Sequence, residues 1–114
     1  MTASIDEIRR LLNKNKRDDA QELLNRIDTK SITNSQTHIE LADIFEELEM
    51  PSKTIMELNL AIKFNPDDLS IYSRLADMYF DQEKMEKAVR TLWHYLKRNP
   101  KDTQVYKYIA AILE

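Results

Sequence analysis

The raw material for catalysis in this chain is sparse: His38 and His94 are its only histidines, and it has no cysteine. A general base or a metal ligand set built on imidazole would need one of these two side chains. Neither stands in an HExxH pattern or has a second ligand at metal-binding spacing. His38 falls on an apolar helix face and reads as a packed histidine. His94 follows Trp93 on another helix and reads as solvent-facing. The lack of cysteine excludes disulfides and thiolate metal sites. There is also no glycine, so no glycine-rich loop can cradle a phosphate. Asp and Glu together number 20, but carboxylates without a pocket or metal partner form a solvated face. No nucleophile, base and oxyanion set can be assembled. The expectation is a protein that is not an enzyme, with no cofactor and no metal.

The elements that carry these side chains follow from composition and pattern. A chain of 114 residues with 42% hydrophobic content suits one domain with a modest core. Its net charge of −3 and pI of about 5.4 do not favour nucleic acid as a partner. No apolar run reaches the roughly 18 residues needed to cross a bilayer, and "MTASIDEIRR" lacks the apolar centre of a signal peptide. A cytoplasmic location is expected, with no membrane partner. The absence of glycine argues against tight β-hairpins, which need positive φ. Helical spacing is plain in "IELADIFEEL", "IYSRLADMYF" and "MEKAVRTLWHYL". Breaks fall at Met50-Pro51, Asn65-Pro66 and Asn99-Pro100, because proline inside a helix loses a hydrogen bond and clashes one turn back.

Asn65-Pro66 and Asn99-Pro100 lie 34 residues apart, and the same interval links most of the chain. His38, Tyr72 and Tyr106 are in phase. So are Leu41, Leu75 and Ile109; Ala42, Ala76 and Ala110; and Phe45, Tyr79 and Leu113. Among second helices, Leu24, Leu58 and Leu92 align, as do Ala20, Thr54 and Ala88, and Ala61 aligns with Tyr95. A fixed period with small and large apolar residues in set positions marks a helical repeat array. Ala42 and Ala76 are small where two helices of a hairpin would cross closely. Phe45 and Tyr79 would fill the space beside them, facing Ala88 and Leu92 from second helices.

In these features the sequence resembles the tetratricopeptide repeat family: Tyr72, Leu75-Ala76, Tyr79, Ala88 and Pro100 fit its pattern at a period of 34. The resemblance implies an all-α, right-handed superhelical array of antiparallel helix hairpins. It divides the chain into a degenerate repeat (1–34), two fuller repeats (35–68 and 69–102) and a capping or truncated helix (103–114). In the first repeat Ile32 replaces the proline, and Ile5, Ile8, Leu11 and Leu12 leave its register open by one residue. The turns inside the hairpins favour glycine in the family, whereas Asn15, Glu49 and Glu83 stand there. The pentatricopeptide family has a similar period and reads RNA, but its repeats lack the Asn-Pro ending, and the net charge is wrong for tracking phosphates.

The resemblance also implies a concave groove that binds a peptide or protein segment. On this chain the groove positions include Ile39, Asp43, Glu46 and Glu47 in one repeat and Ser73, Asp77, Phe80 and Asp81 in the next. The family's Lys-Asn-Arg carboxylate clamp is not matched: Ile5 and Glu40 stand at two of its positions, and only Arg74 fits. Asp43 with Asp77, and Glu47 with Asp81, are in phase and would make an acidic ladder with Ile39 and Phe80 as apolar footholds. The expected ligand is therefore a basic segment with an apolar anchor.

Charge is unevenly divided. Residues 39–49 hold five acidic residues and no Lys or Arg, whereas residues 84–107 hold seven basic residues and two acidic ones. The last helix, "VYKYIAAILE", is apolar on nearly every side. Packing through Tyr106, Ile109, Ala110 and Leu113 would leave Tyr108, Ala111 and Ile112 uncovered. That patch predicts self-association as a homo-oligomer, or a longer native chain. The overall expectation is a protein-interaction scaffold; the alternative is a structural or oligomerisation module acting through this helix.

Overall fold

The computed structural model describes residues 2–114, and every regular element among them is helical. Helices α1 (Thr2–Asn13) and α2 (Arg17–Asn25) form one hairpin, and a 3-10 turn at Thr29–Ser31 follows. Helices α3 (Ser35–Glu47) and α4 (Pro51–Phe64) form the second hairpin, α5 (Leu69–Asp81) and α6 (Met85–Arg98) the third. Helix α7 (Thr103–Leu113) ends the chain and packs on α6. The chain divides between Phe64 and Asn65 into two compact units.

The helix boundaries follow the 34-residue period, although the individual capping bonds differ. Asn34, Asp68 and Asp102 are the three in-phase N-caps. Asn34 accepts from the Thr37 amide and Asp68 from the Ser70 amide, which satisfies amides that have no partner within the helix. Asp102 instead accepts from the Tyr95 hydroxyl at 2.8 Å, tying the start of α7 to α6. Pro51 opens α4, where its missing N–H costs nothing. In the loop before α5, Asp67 accepts from Arg98 Nε at 2.9 Å, and this bond holds its carboxyl below the usual carboxylate range.

The three glycine-preferring turn positions take the left-handed conformation: φ is 59° at Asn15, 58° at Glu49 and 61° at Glu83. Each turn closes in the same way. The amides of Lys16, Met50 and Lys84 reach back to the carbonyls of Leu11, Phe45 and Tyr79 at 2.8–2.9 Å, and those of Asn15, Glu49 and Glu83 to Leu12, Glu46 and Phe80. This is the paired bonding of a Schellman C-cap. Every Cβ crowds this geometry; Asn offsets the cost because its short polar side chain can bond the nearby backbone, whereas the longer Glu side chain does not. Glu49→Gly and Glu83→Gly should therefore each stabilise the fold by about 1 kcal/mol, read as a higher urea midpoint at unchanged slope. Loss of stability in either variant would show that the turn is held for another reason.

Within the first unit the core joins Ile5, Ile8 and Leu12 of α1 with Ala20, Leu24, Leu41, Ile44, Phe45 and Leu48. Leu11, left open as a core position by the sequence, is only partly buried. The close-crossing positions Ala42, Ala76, Ala88 and Thr54 are fully buried, as are Leu58 and Leu92. Tyr79 differs from its counterpart Phe45 in burial: Phe45 is buried and Tyr79 half-buried, while an in-phase lysine ammonium lies 5.8 Å from each ring centroid, Lys53 over Phe45 and Lys87 over Tyr79.

Helix α7 corrects one expectation. Its packed side is Val105, Ile109 and Ile112, a stripe at i, i+4 and i+7. Ile112, expected to be uncovered, is only 8% exposed, while Tyr106 is 41% and Leu113 66% exposed. The repeat phase places Tyr106, Ala110 and Leu113 on the face that α3 and α5 turn toward their own second helix. Helix α7 has no such mate among the described residues, so those side chains meet water and the stripe one step round faces α6.

Candidate functional site

The second unit contains a small cleft of about 200 Å³ between α5 and α7, lined by Asp77, Phe80, Tyr108, Ala111 and Ile112. Helix α5 supplies Asp77 and Phe80 from its C-terminal half, one turn apart on one face. Helix α7 supplies the opposite wall. The Tyr108 hydroxyl donates to Asp77 Oδ1 and bridges the two helices. Phe80, 42% exposed, stands as an apolar foothold at the cleft.

The electrostatics of this cleft are set by Asp77. Partial burial pushes its carboxyl above the usual range, and the charge of Asp81 one turn on adds to the effect. A carboxylate in this position gains from a cation that replaces its lost hydration.

The predicted groove residues separate into two groups. Asp77, Phe80 and Asp81 are exposed on α5, with Ser73 and Arg74 half-buried on the same helix. Asp43, Glu46 and Glu47 are exposed on α3 of the first unit, and Ile39 beside them is half-buried. The structure unites Asp77 and Phe80 with Tyr108, Ala111 and Ile112, which the sequence had assigned to a separate self-association patch.

The sequence missed one group, Glu57 on α4. It is fully buried, as is His38 on α3, and His38 Nδ1 lies 2.7 Å from Glu57 Oε1. The other ring nitrogen, Nε2, lies 2.8 Å from the Ile32 carbonyl. A carbonyl can only accept, so Nε2 carries a proton and donates it. Glu57 Oε2 has no partner, and the His38 ring stacks on Phe64 with centroids 5.8 Å apart. The site is closed to solvent, so its role is structural. In the in-phase position the Tyr72 hydroxyl donates to the Pro66 carbonyl at 2.8 Å, and Tyr106 to that of Pro100 at 3.1 Å. His38 thus makes the same bond, six residues back, that two tyrosines make in their repeats. The signal was present: Thr54, Glu57, Leu58 and Ala61 share one helical stripe, and only Glu57 on it is charged. His94 is exposed. Among the described residues no group of three or more His, Asp or Glu is placed to hold a metal ion, and no helix is long and apolar enough to cross a membrane.

Comparison with known proteins identifies the fold. No family model matches the chain, and no curated protein matches it. Among solved structures it is similar to the crystal structure of MamA protein, with a TM-score of 0.64 and 17% sequence identity over 96% of this chain. The chain spans 60% of the length of that neighbour. The likeness, with seven α-helices and no strand among the described residues, shows an all-α, TPR-like solenoid.

Proposed function

We propose that this protein is a non-catalytic interaction scaffold that binds a basic protein segment carrying an apolar anchor. The carrying observation is the α5–α7 cleft. It sets the Asp77 carboxylate against an apolar wall of Phe80, Ala111 and Ile112. A lysine or arginine of the segment pairs with Asp77 and Asp81, and a neighbouring aliphatic or aromatic side chain enters the cleft beside Phe80. In the first unit α3 carries Asp43, Glu46 and Glu47 as exposed acids of its own. A TPR-like solenoid supports a protein partner in general terms. Oligomerisation through Tyr108, Ala111 and Ile112 is the less supported reading, because all three line the cleft and Ile112 is packed.

Calorimetric titration with a short synthetic peptide of alternating lysines and leucines tests this reading. Asp77→Asn and Phe80→Ala should each weaken binding by about tenfold without loss of helicity, and the affinity should fall as salt rises. Equal binding of a peptide with glutamates in place of the lysines would overturn the proposal.

The raised Asp77 pKa supplies a pH dependence. A cationic ligand requires the carboxylate, and protonation of Asp77 on acidification removes it. Because burial holds its pKa above the ordinary aspartate range, binding should begin to fall at a pH above that of an ordinary aspartate. For stability the sign is opposite. The raised pKa disfavours the charged form in the fold, so this contribution is present below the unfolded pKa and is lost as pH rises through the folded one. An affinity profile that stays flat down to the ordinary aspartate range would remove Asp77 from the contact.

A further inference from the structure

A different face of α7, independent of the cleft, carries a second interaction. Tyr106, Ala110 and Leu113 stand one period after Tyr72, Ala76 and Tyr79, and two periods after His38, Ala42 and Phe45. In α3 and α5 this face is the one laid against the second helix of the hairpin. His38, Ala42, Phe45, Tyr72 and Ala76 are all buried there. The covering stripes are Thr54, Leu58 and Ala61 on α4, and Ala88, Leu92 and Tyr95 on α6. Each has a small residue, a leucine four positions on, and a third packed residue three beyond that. On α7 the corresponding face is open: Tyr106 and Leu113 are exposed, and so is Ala110. Trp93 of α6, 44% exposed, lies edge-on to Tyr106 with ring centroids 5.7 Å apart and widens the apolar area. The face therefore has the shape that, twice in this chain, accepts an amphipathic helix.

Its rim is basic. Arg90 and Lys97, within one turn on either side of Trp93, are exposed, as are Lys101 and Lys107. From Lys87 to Glu114 there are five basic residues besides Lys87 itself, and only two acidic ones, Asp102, which accepts from the Tyr95 hydroxyl, and Glu114. A second copy of the chain is a poor occupant. A two-fold pairing of this face would set the basic rim against itself. Helix α3 of another copy carries acids, but its apolar stripe of Leu41, Ala42, Ile44 and Phe45 is already buried.

We infer that the Tyr106/Ala110/Leu113 face, with Trp93 at its edge, docks an acidic amphipathic helix of a partner protein, which takes the place of a hairpin's second helix. The helix presents an Ala-x-x-x-Leu stripe to α7 and glutamates or aspartates to Arg90, Lys97 and Lys107.

Trp93 is the only tryptophan in the chain, so its fluorescence reports on this face alone. The probe is a synthetic amphipathic helix with an Ala-x-x-x-Leu stripe and a glutamate polar face, titrated against the intact protein. The expected result is a saturable change in Trp93 emission, weakened by salt. Leu113→Asp or Ala110→Asp should weaken it by about tenfold or more. Both residues are exposed, so circular dichroism should show both variants folded. The same peptide with lysines on its polar face should not saturate. An equal, saturable Trp93 response to the two peptides, or to neither, would overturn the inference, as would indifference to Leu113→Asp. Sedimentation of the protein alone showing a dimer that Leu113→Asp dissolves would give the face to a second copy. A longer form of the chain whose following helix shields Trp93 and blocks the peptide would give it to the chain itself.

Discussion

Glu57→Ala should destabilise the protein by about 3–5 kcal/mol in urea melts, the combined cost of a buried polar group left without its partner and of the cavity beside it. The cost comes from what is left behind. His38 keeps its bond to the Ile32 carbonyl but faces an empty space at Nδ1, 0% exposed to water. His38→Ala should cost a similar amount, since it strands the Glu57 carboxyl and opens a cavity beside Phe64. The two changes together are not the informative comparison. The next repeat holds Tyr72 and Thr91 at these positions, and both satisfy themselves: Tyr72 bonds the Pro66 carbonyl, and the Thr91 hydroxyl bonds the Lys87 carbonyl at 2.8 Å. The double change His38→Tyr with Glu57→Thr should therefore recover most of the lost stability, because the larger ring offsets the smaller partner and no polar atom is orphaned. A double-mutant cycle should show strong coupling. Additive losses would mean that the two side chains act independently, against the 2.7 Å contact.

Phe45→Ala should cost about 3–5 kcal/mol, as expected for truncating a buried aromatic residue. The in-phase Tyr79→Ala should cost distinctly less, since Tyr79 is half-buried. Denaturant melts on both variants check this ordering. Equal costs would show that the period alone, and not the local cover, sets the energy.

That contrast marks where the sequence was legible. The helical hairpins, their breaks at the prolines and the buried positions Ala42, Ala76, Ala88, Leu58 and Leu92 all followed from a 34-residue period, because a repeat places the same contact at the same offset. What the period could not supply was the neighbour. Tyr106, Ala110 and Leu113 have the residue types of a packed face, yet burial needs a second helix against them, and α7 packs through Val105, Ile109 and Ile112 instead. The charge on Glu57 points to the surface, whereas its place on the Thr54–Leu58–Ala61 stripe requires it to be inside. The left-handed turns were legible as positions but not as conformations, since only the backbone shows that Glu49 and Glu83 accept positive φ. For the candidate site, Asp77 and Phe80 were found from α5 alone. Their meeting with Tyr108, Ala111 and Ile112 depended on which side α7 turns inward, and the slip in that side hid the cleft.

The central claim is that the α5–α7 cleft is the binding surface for a basic segment with an apolar anchor. Amide chemical-shift mapping of the isotope-labelled protein, titrated with the lysine–leucine peptide, tests it most directly. The account predicts saturable shifts concentrated at residues 77–81 and 108–112, absent in the Asp77→Asn, Phe80→Ala double variant. Saturable shifts that leave both stretches unmoved, or that persist unchanged in the double variant, would contradict it.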